Sequence, residues 1–321
     1  MDTFHVVYDD ELETELRNAN IPILSDDEEE LINHFLRSTK WMLEVEQLFG
    51  VYRVNLDLLK QSVTFYTDDR IECNMPMPNM ECTPFTLVNT LVINYLASAK
   101  GLTDAIDTYI MTLFNFNVKA KLAEFKSLYT SKEFDSSFNY RLLYHLRNYS
   151  QHGHLPVSVY QIDGINHASI DLNQIKNTLN FDVDLELIEP LIDEMDDKGL
   201  NAMVSLSLAI LEYNASIARI YHGLFIFSRE TMFKLKRQIR ELIKKCPELI
   251  YKSKGPLYRA VVFCACDNQV HVFWLEDDTI GTFKNYQRKA SRFQKAEELL
   301  YCEYRKHFRF IPSSSFPSKR S

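Results

Sequence analysis

The chain has 321 residues, 46% hydrophobic, 25% charged and 12% aromatic, a composition inside the globular range that excludes an intrinsically disordered protein. Its formal charge of -8 excludes a protein that coats nucleic acid through charge alone. The acid is concentrated at the front, where residues 1–70 carry 16 Asp and Glu against 6 Lys and Arg, a balance of -10 that leaves +2 for the remainder.

With only 8 glycines, few tight turns and long helices are expected. The opening, MDTFHVVYDDELETEL, is acidic and lacks the basic-then-apolar order of a secretory signal. None of the six cysteines forms a CxxC pair, so reduced thiols in a cytoplasm are expected. Ser25-Asp26-Asp27-Glu28 then reads as a helix start, a capping hydroxyl followed by carboxylates that suit the positive end of the helix dipole. Leu31, Phe35, Met42, Val45 and Leu48 recur at helical spacing behind it. A second helical stretch, 51–66, follows Gly50, and residues 67–82, with Pro76 and Pro78, read as a loop.

Thr83-Pro84 opens the next helix, since threonine caps and proline is tolerated at the first helical position. The helical pattern runs to about Tyr129, with a bend expected at Gly101. Asp135-Ser136-Ser137 offers another cap, and Tyr140, Leu143, Leu146 and Tyr149 give about four turns that end at His152-Gly153. Helices joined by short links imply an antiparallel bundle.

Past Pro156 the period becomes two, through Val157, Val159 and Gln161 and then His167, Ser169 and Asp171, around Asp163-Gly164, which predicts a short β-hairpin. Helices resume near Leu172, clearest over 184–196 and 199–229, and the basic segment 230–245 extends or follows the last of them. The apolar run 201–227 contains Glu212, Asn214, Arg219 and His222, so no membrane span is read. Residues 258–266 and 270–275 predict a second hairpin around Asp267-Asn268-Gln269, followed by a final helix near 289–306 and a Ser/Pro-rich tail. Cys264 and Cys266 read as buried apolar side chains on one strand face.

The expected fold class is therefore mainly α: an antiparallel helical bundle with a short β-hairpin and a small C-terminal α+β part. Residues 1–229 form the helical domain with the hairpin inserted near 157–171. Residues 230–321 hold the basic helix, hairpin and final helix, and are able to pack as one unit with the first part.

The stretch LRNYSQHGHLP, residues 146–156, carries the chemistry. At 100° per residue, Asn148 and His152 lie about 40° apart on one face of the helix, while Arg147 lies about 140° from His152. Gly153 can take the left-handed cap that turns the chain after His152. The carboxyl end of a helix suits a histidine that carries protons, Asn148 can hold one ring nitrogen, and Arg147 can grip a phosphate through paired hydrogen bonds. A histidine and a cation together are what RNA cleavage without a metal requires. His145, His152 and His154 fall close together, but no Cys or carboxylate has suitable nearby spacing, so no metal site and no cofactor are expected.

Arg147-Asn148-Tyr149-Ser150-Gln151-His152 resembles the R-x4-6-H signature of HEPN domains, in the variant with a polar residue after the arginine. The wider LRNYSQHGHLPV is similar to a stretch found in uncharacterised bacterial HEPN-type proteins. The resemblance implies a HEPN-type helical bundle acting as a homodimer. It also implies a metal-independent endoribonuclease with Arg147 and His152 catalytic and Asn148 supporting, in phage defence or a toxin system. One subgroup has a tyrosine two places after the histidine, where this chain has His154, so control through a modified tyrosine at that place is not available.

Gln151 and His154 beside the motif, and Lys234 and Arg237 in the basic segment, are the further candidate contacts to an RNA substrate. The alternatives are a catalytically silent module that binds RNA, a nucleotide or a protein, and the partner subunit of a defence or antitoxin system.

Overall fold

A computed structural model describes residues 23–63, 69–71, 83–178, 185–197, 202–245, 250–251, 258–264, 270–276 and 279–307. The acidic opening, most of 67–82, the turn at 267–269, Cys266 and the tail lie outside the described residues.

Helix α1, Asp26–Ser62, begins as its sequence predicts. The Ser25 hydroxyl accepts from the Glu28 N–H at 3.4 Å, and the Glu28 carboxylate accepts from the Ser25 N–H at 3.1 Å, a complete capping box. The helix continues through Gly50 without a break. Glycine inside a helix costs about 1 kcal/mol, but Phe49 and Tyr52 on either side are fully buried, and that burial outweighs the cost. Helix α2, Pro84–Leu113, likewise passes through Gly101 unbroken and ends at a turn over 114–117. The rest of the expected helix is in pieces: α3, Val118–Phe125, a π-helical turn at Lys126–Thr130, and α4, Ser131–Ser136.

Helix α5, Phe138–Gln151, follows the cap at Ser137. Strands β1, Ser158–Ile162, and β2, Ile165–Asp171, pair antiparallel across Asp163-Gly164. Both turn residues have positive φ (51° and 77°), the conformation for which an Asp-Gly pair is suited. After α6, Leu172–Lys176, and α7, Leu185–Asp197, strand β3, Met203–Ser205, adds to β2 with Ser169 opposite Ser205. Periodicity over three residues could not have announced that strand.

Helix α8, Leu206–Lys245, is the axis of the molecule. From Leu206 to Leu211 every residue is buried, and most remain so to Phe225, which is why this stretch is apolar on all sides. Beyond Ser228 a stripe, Met232, Leu235, Ile239 and Leu242, stays buried. The boundary expected after residue 229 thus falls inside a continuous helix. The change of composition there marks where α8 leaves the centre of the core.

A second sheet, β4 (Ile250–Tyr251), β5 (Tyr258–Cys264) and β6 (Val270–Glu276), is antiparallel, with Tyr258 opposite Glu276. Helix α9, Thr279–His307, completes the described chain.

Ring contacts set the helix directions. Phe49 stacks on Tyr221 at 4.0 Å, and the Lys236 ammonium lies 5.1 Å over Phe35, so α8 runs antiparallel to α1. Phe225 meets Phe283, and Arg219 meets Glu298, so α9 runs back along α8. With α2, whose Tyr95 touches both Tyr52 and Tyr213, these helices enclose one core. The protein is mainly helical, with small antiparallel sheets, and no helix among the described residues is long and apolar enough to cross a membrane.

Candidate active site at the end of helix α5

Helix α5 is seated at its start by Glu212 of α8, whose two carboxylate oxygens accept from the Ser137 hydroxyl and the Asn139 amide, each at 2.7 Å. The same Ser137 oxygen accepts from the Tyr140 N–H at 3.1 Å. Leu142, Leu143, Leu146 and Tyr149 then bury one face, so the register of the motif relative to α8 is fixed by packing.

The helix ends in a Schellman arrangement. The Gly153 N–H donates to Ser150 O at 3.2 Å and the His154 N–H to Tyr149 O at 3.4 Å, with Gly153 at φ 87°. The side-chain contact that accompanies this motif is also present, since the His154 ring stacks on Tyr149 at 4.7 Å. His154 is therefore a half-buried part of the cap, and Tyr149 is held in turn by Thr178 Oγ1 at 3.0 Å.

His152 occupies the C-cap itself and is exposed. Its backbone N–H returns to Asn148 O at 3.2 Å, and its ring has no hydrogen-bond partner among the described residues. Gln151 beside it is exposed as well. Arg147 faces the other way. It is half-buried, its Nη1 donates to Asn148 Oδ1 at 3.0 Å, and its Nε is shielded from solvent with no hydrogen-bond partner among the described residues. Burial pushes the Tyr213 phenol on α8 upward, and the charge of the nearby Arg147 opposes that shift.

Asn148 is thus joined to Arg147 and not to the His152 ring, contrary to the expected orienting role. The structure brings Arg147 and Asn148 together and leaves His152 apart at the surface; the angular argument anticipates the separation of Arg147 from His152 but places Asn148 on the His152 face. Lys234 and Arg237 do not reach this place. They are exposed on α8, roughly 30 and 35 Å along the helix axis from Tyr213 at 1.5 Å per residue. Lys234 instead borders a cleft with Asp27, Glu28 and Glu30 of α1.

One positioning residue is not evident from the sequence. Asn89 of α2, 2% exposed, donates through Nδ2 to Val157 O and accepts through Oδ1 from the Val157 N–H, both at 2.9 Å. This reciprocal pair pins the Leu155-Pro156-Val157 exit, and with it the end of the motif, to the bundle. The available signal is an asparagine between Val88 and Leu91 on a buried helical face, where a polar group needs a partner.

No group of three or more His, Cys, Asp or Glu residues among the described ones is placed to hold a metal ion. Chemically, this end of α5 offers an imidazole exposed to solvent and a guanidinium with a spare donor in a partly dry setting. No family model, curated protein or solved structure matches the chain, so the chemistry of this terminus rests on its own residues.

Proposed function

We propose that the protein is a HEPN-type, metal-independent endoribonuclease in which Arg147 and His152 carry the reaction. The observation that supports this most is the placement of His152 at the exposed, glycine-terminated end of a helix that buries one face, one turn beyond an arginine–asparagine pair. In this reading the 2′-hydroxyl oxygen attacks the adjacent phosphorus and the 5′-oxygen leaves, giving a cyclic phosphate and a 5′-hydroxyl. His152 takes the proton from the nucleophile or supplies it to the leaving oxygen, and Arg147 stabilises the crowded phosphorane.

Because Arg147 and His152 leave the helix in different directions, a two-fold pairing of two α5 ends would let the arginine of one copy serve the histidine of the other. The cellular role that goes with this chemistry is phage defence or a toxin system.

The test is incubation of purified protein with RNA in EDTA, with analysis of the ends and His152→Ala in parallel. Cleavage by wild type alone, leaving cyclic phosphate and 5′-hydroxyl ends, is expected; equal cleavage by His152→Ala would overturn the assignment. A second reading draws on the engagement of Arg147 by Asn148 and its half-burial: a silent module that holds RNA or a partner protein. Tight RNA binding with the RNA left intact would select it.

A further inference from the structure

A groove of about 550 Å³ runs between α1 and α9, lined by Arg53 on one side and by Asn285, Arg288, Lys289 and Arg292 on the other. The α9 residues recur at three and four residue steps, so they form one stripe on that helix. Lys289 pairs with Glu46. Arg288 and Arg292 are exposed and have no carboxylate partner among the described residues.

Arg53 is more constrained. Asp57 stands one turn along α1 but does not bind it; the guanidinium lies 4.7 Å over the Phe293 ring instead, and its Nε is shielded from solvent with no hydrogen-bond partner among the described residues. The stacked plane holds its remaining donors in a fixed direction. The groove's single carboxylate among the described residues, Glu297, is 7% exposed and is occupied by Lys60 at 3.3 Å and by Asn214. Three guanidinium groups are therefore left uncompensated around one concavity, in a chain whose formal charge is -8.

From this juxtaposition we infer that the groove binds adjacent phosphoryl groups, either successive phosphates of an RNA strand or the polyphosphate of a free nucleotide. Guanidinium forks match phosphate oxygens in pairs, and Arg288 and Arg292 are separated by roughly 6 Å along the helix axis, so each can take its own phosphate. The groove is separate from the end of α5, which packs on α2 and α8, whereas the groove lies where Phe293 of α9 meets Phe49 of α1. The inference therefore stands whether or not His152 cleaves RNA.

The experiment measures binding only. A short single-stranded RNA with 2′-O-methyl sugars, which cannot be cut by its own 2′-oxygen, is titrated by fluorescence polarisation, with inorganic triphosphate and ATP as separate ligands in calorimetry. Wild type is compared with Arg288→Ala/Arg292→Ala and with Lys119→Ala/Lys132→Ala, which removes the same charge from exposed positions elsewhere. A fall of at least about tenfold in affinity is expected for the arginine pair alone, with the salt slope for RNA decreasing by about 0.7 for each phosphate that is no longer neutralised.

RNA binding that triphosphate fails to displace assigns the strand. Binding of ATP and triphosphate with weak RNA binding assigns the nucleotide. Absence of binding to every probe at low salt, or equal weakening in the two double variants, would overturn the inference. Arg53→Ala supplies an independent check, because it removes the stacked guanidinium without touching α9.

Discussion

His152 contributes only its backbone N–H to the end of α5, and its ring is exposed without a partner among the described residues. His152→Ala should leave the melting temperature unchanged, and under the proposed function it should lower RNA cleavage by about 10²–10⁴-fold, the usual contribution of a general acid or base. Gly153 behaves in the opposite manner. At φ 87° a side chain costs about 1–2 kcal/mol, so Gly153→Ala should lower the unfolding free energy by that amount and disturb the motif only indirectly, a change read from the denaturant midpoint. Replacing Asn89 by leucine leaves both the N–H and the C=O of Val157 buried without partners, at about 1–3 kcal/mol. The expected readout is faster amide exchange at Val157 before the molecule as a whole unfolds. Gly153 was legible in the sequence because a cap is a local matter; Asn89 was not, because its partner lies far along the chain.

At the scale of elements, the contact between α8 and the π-helical turn is decided by a single small residue. A Cβ at Gly223 would collide with the ring of Tyr129, whereas Gly50 and Gly101 have open space around the same position. Gly223→Ala should therefore destabilise by about 1–3 kcal/mol. In a double-mutant cycle with Tyr129→Ala, the combined destabilisation should be less than the sum, since removing the ring removes the clash. Helix starts at Ser25, Thr83 and Ser137 were readable in advance, each a hydroxyl that accepts from a backbone N–H three residues on. The N-terminus of α8 was not. There Ser205 accepts from the Leu208 N–H, and Asp69, at φ 56°, accepts from Ser205 Oγ at 2.7 Å and from the Ser207 N–H at 2.9 Å.

The whole molecule is organised around phenols. Tyr52, Tyr95 and Tyr213 meet in the centre, Tyr52 bonds to Asn214, and Tyr221 bonds to Glu46. Burial pushes the hydroxyls of all four well above their usual range, and neighbouring carboxylates add to the effect for Tyr52, Tyr95 and Tyr221. A phenol whose folded pKa is raised contributes stability that is complete below its unfolded value, near about pH 10, and is lost as pH climbs toward the folded one. Stability should accordingly decline steeply above about pH 10. In a spectroscopic titration these tyrosines should ionise only together with unfolding, and phenolate absorbance from them in a still-folded protein would contradict this packing.

What the sequence determined by itself was everything governed by neighbours a few positions apart: the caps, the Asp163-Gly164 turn, the stripes of α1 and α2, and the end of α5 at His152-Gly153. These follow from backbone sterics and helical periodicity, which act over one or two turns. Only the tertiary structure decided that helices continue through Gly50, Gly101 and residue 229, that β3 joins β2, that Asn148 holds Arg147, and that Lys234 and Arg237 lie far from the motif. Apart from the Arg147–Asn148 contact, which joins neighbours whose side-chain directions periodicity alone does not fix, those outcomes depend on burial and on partners from distant segments, whose energies exceed the local preferences that a reading along the chain can weigh.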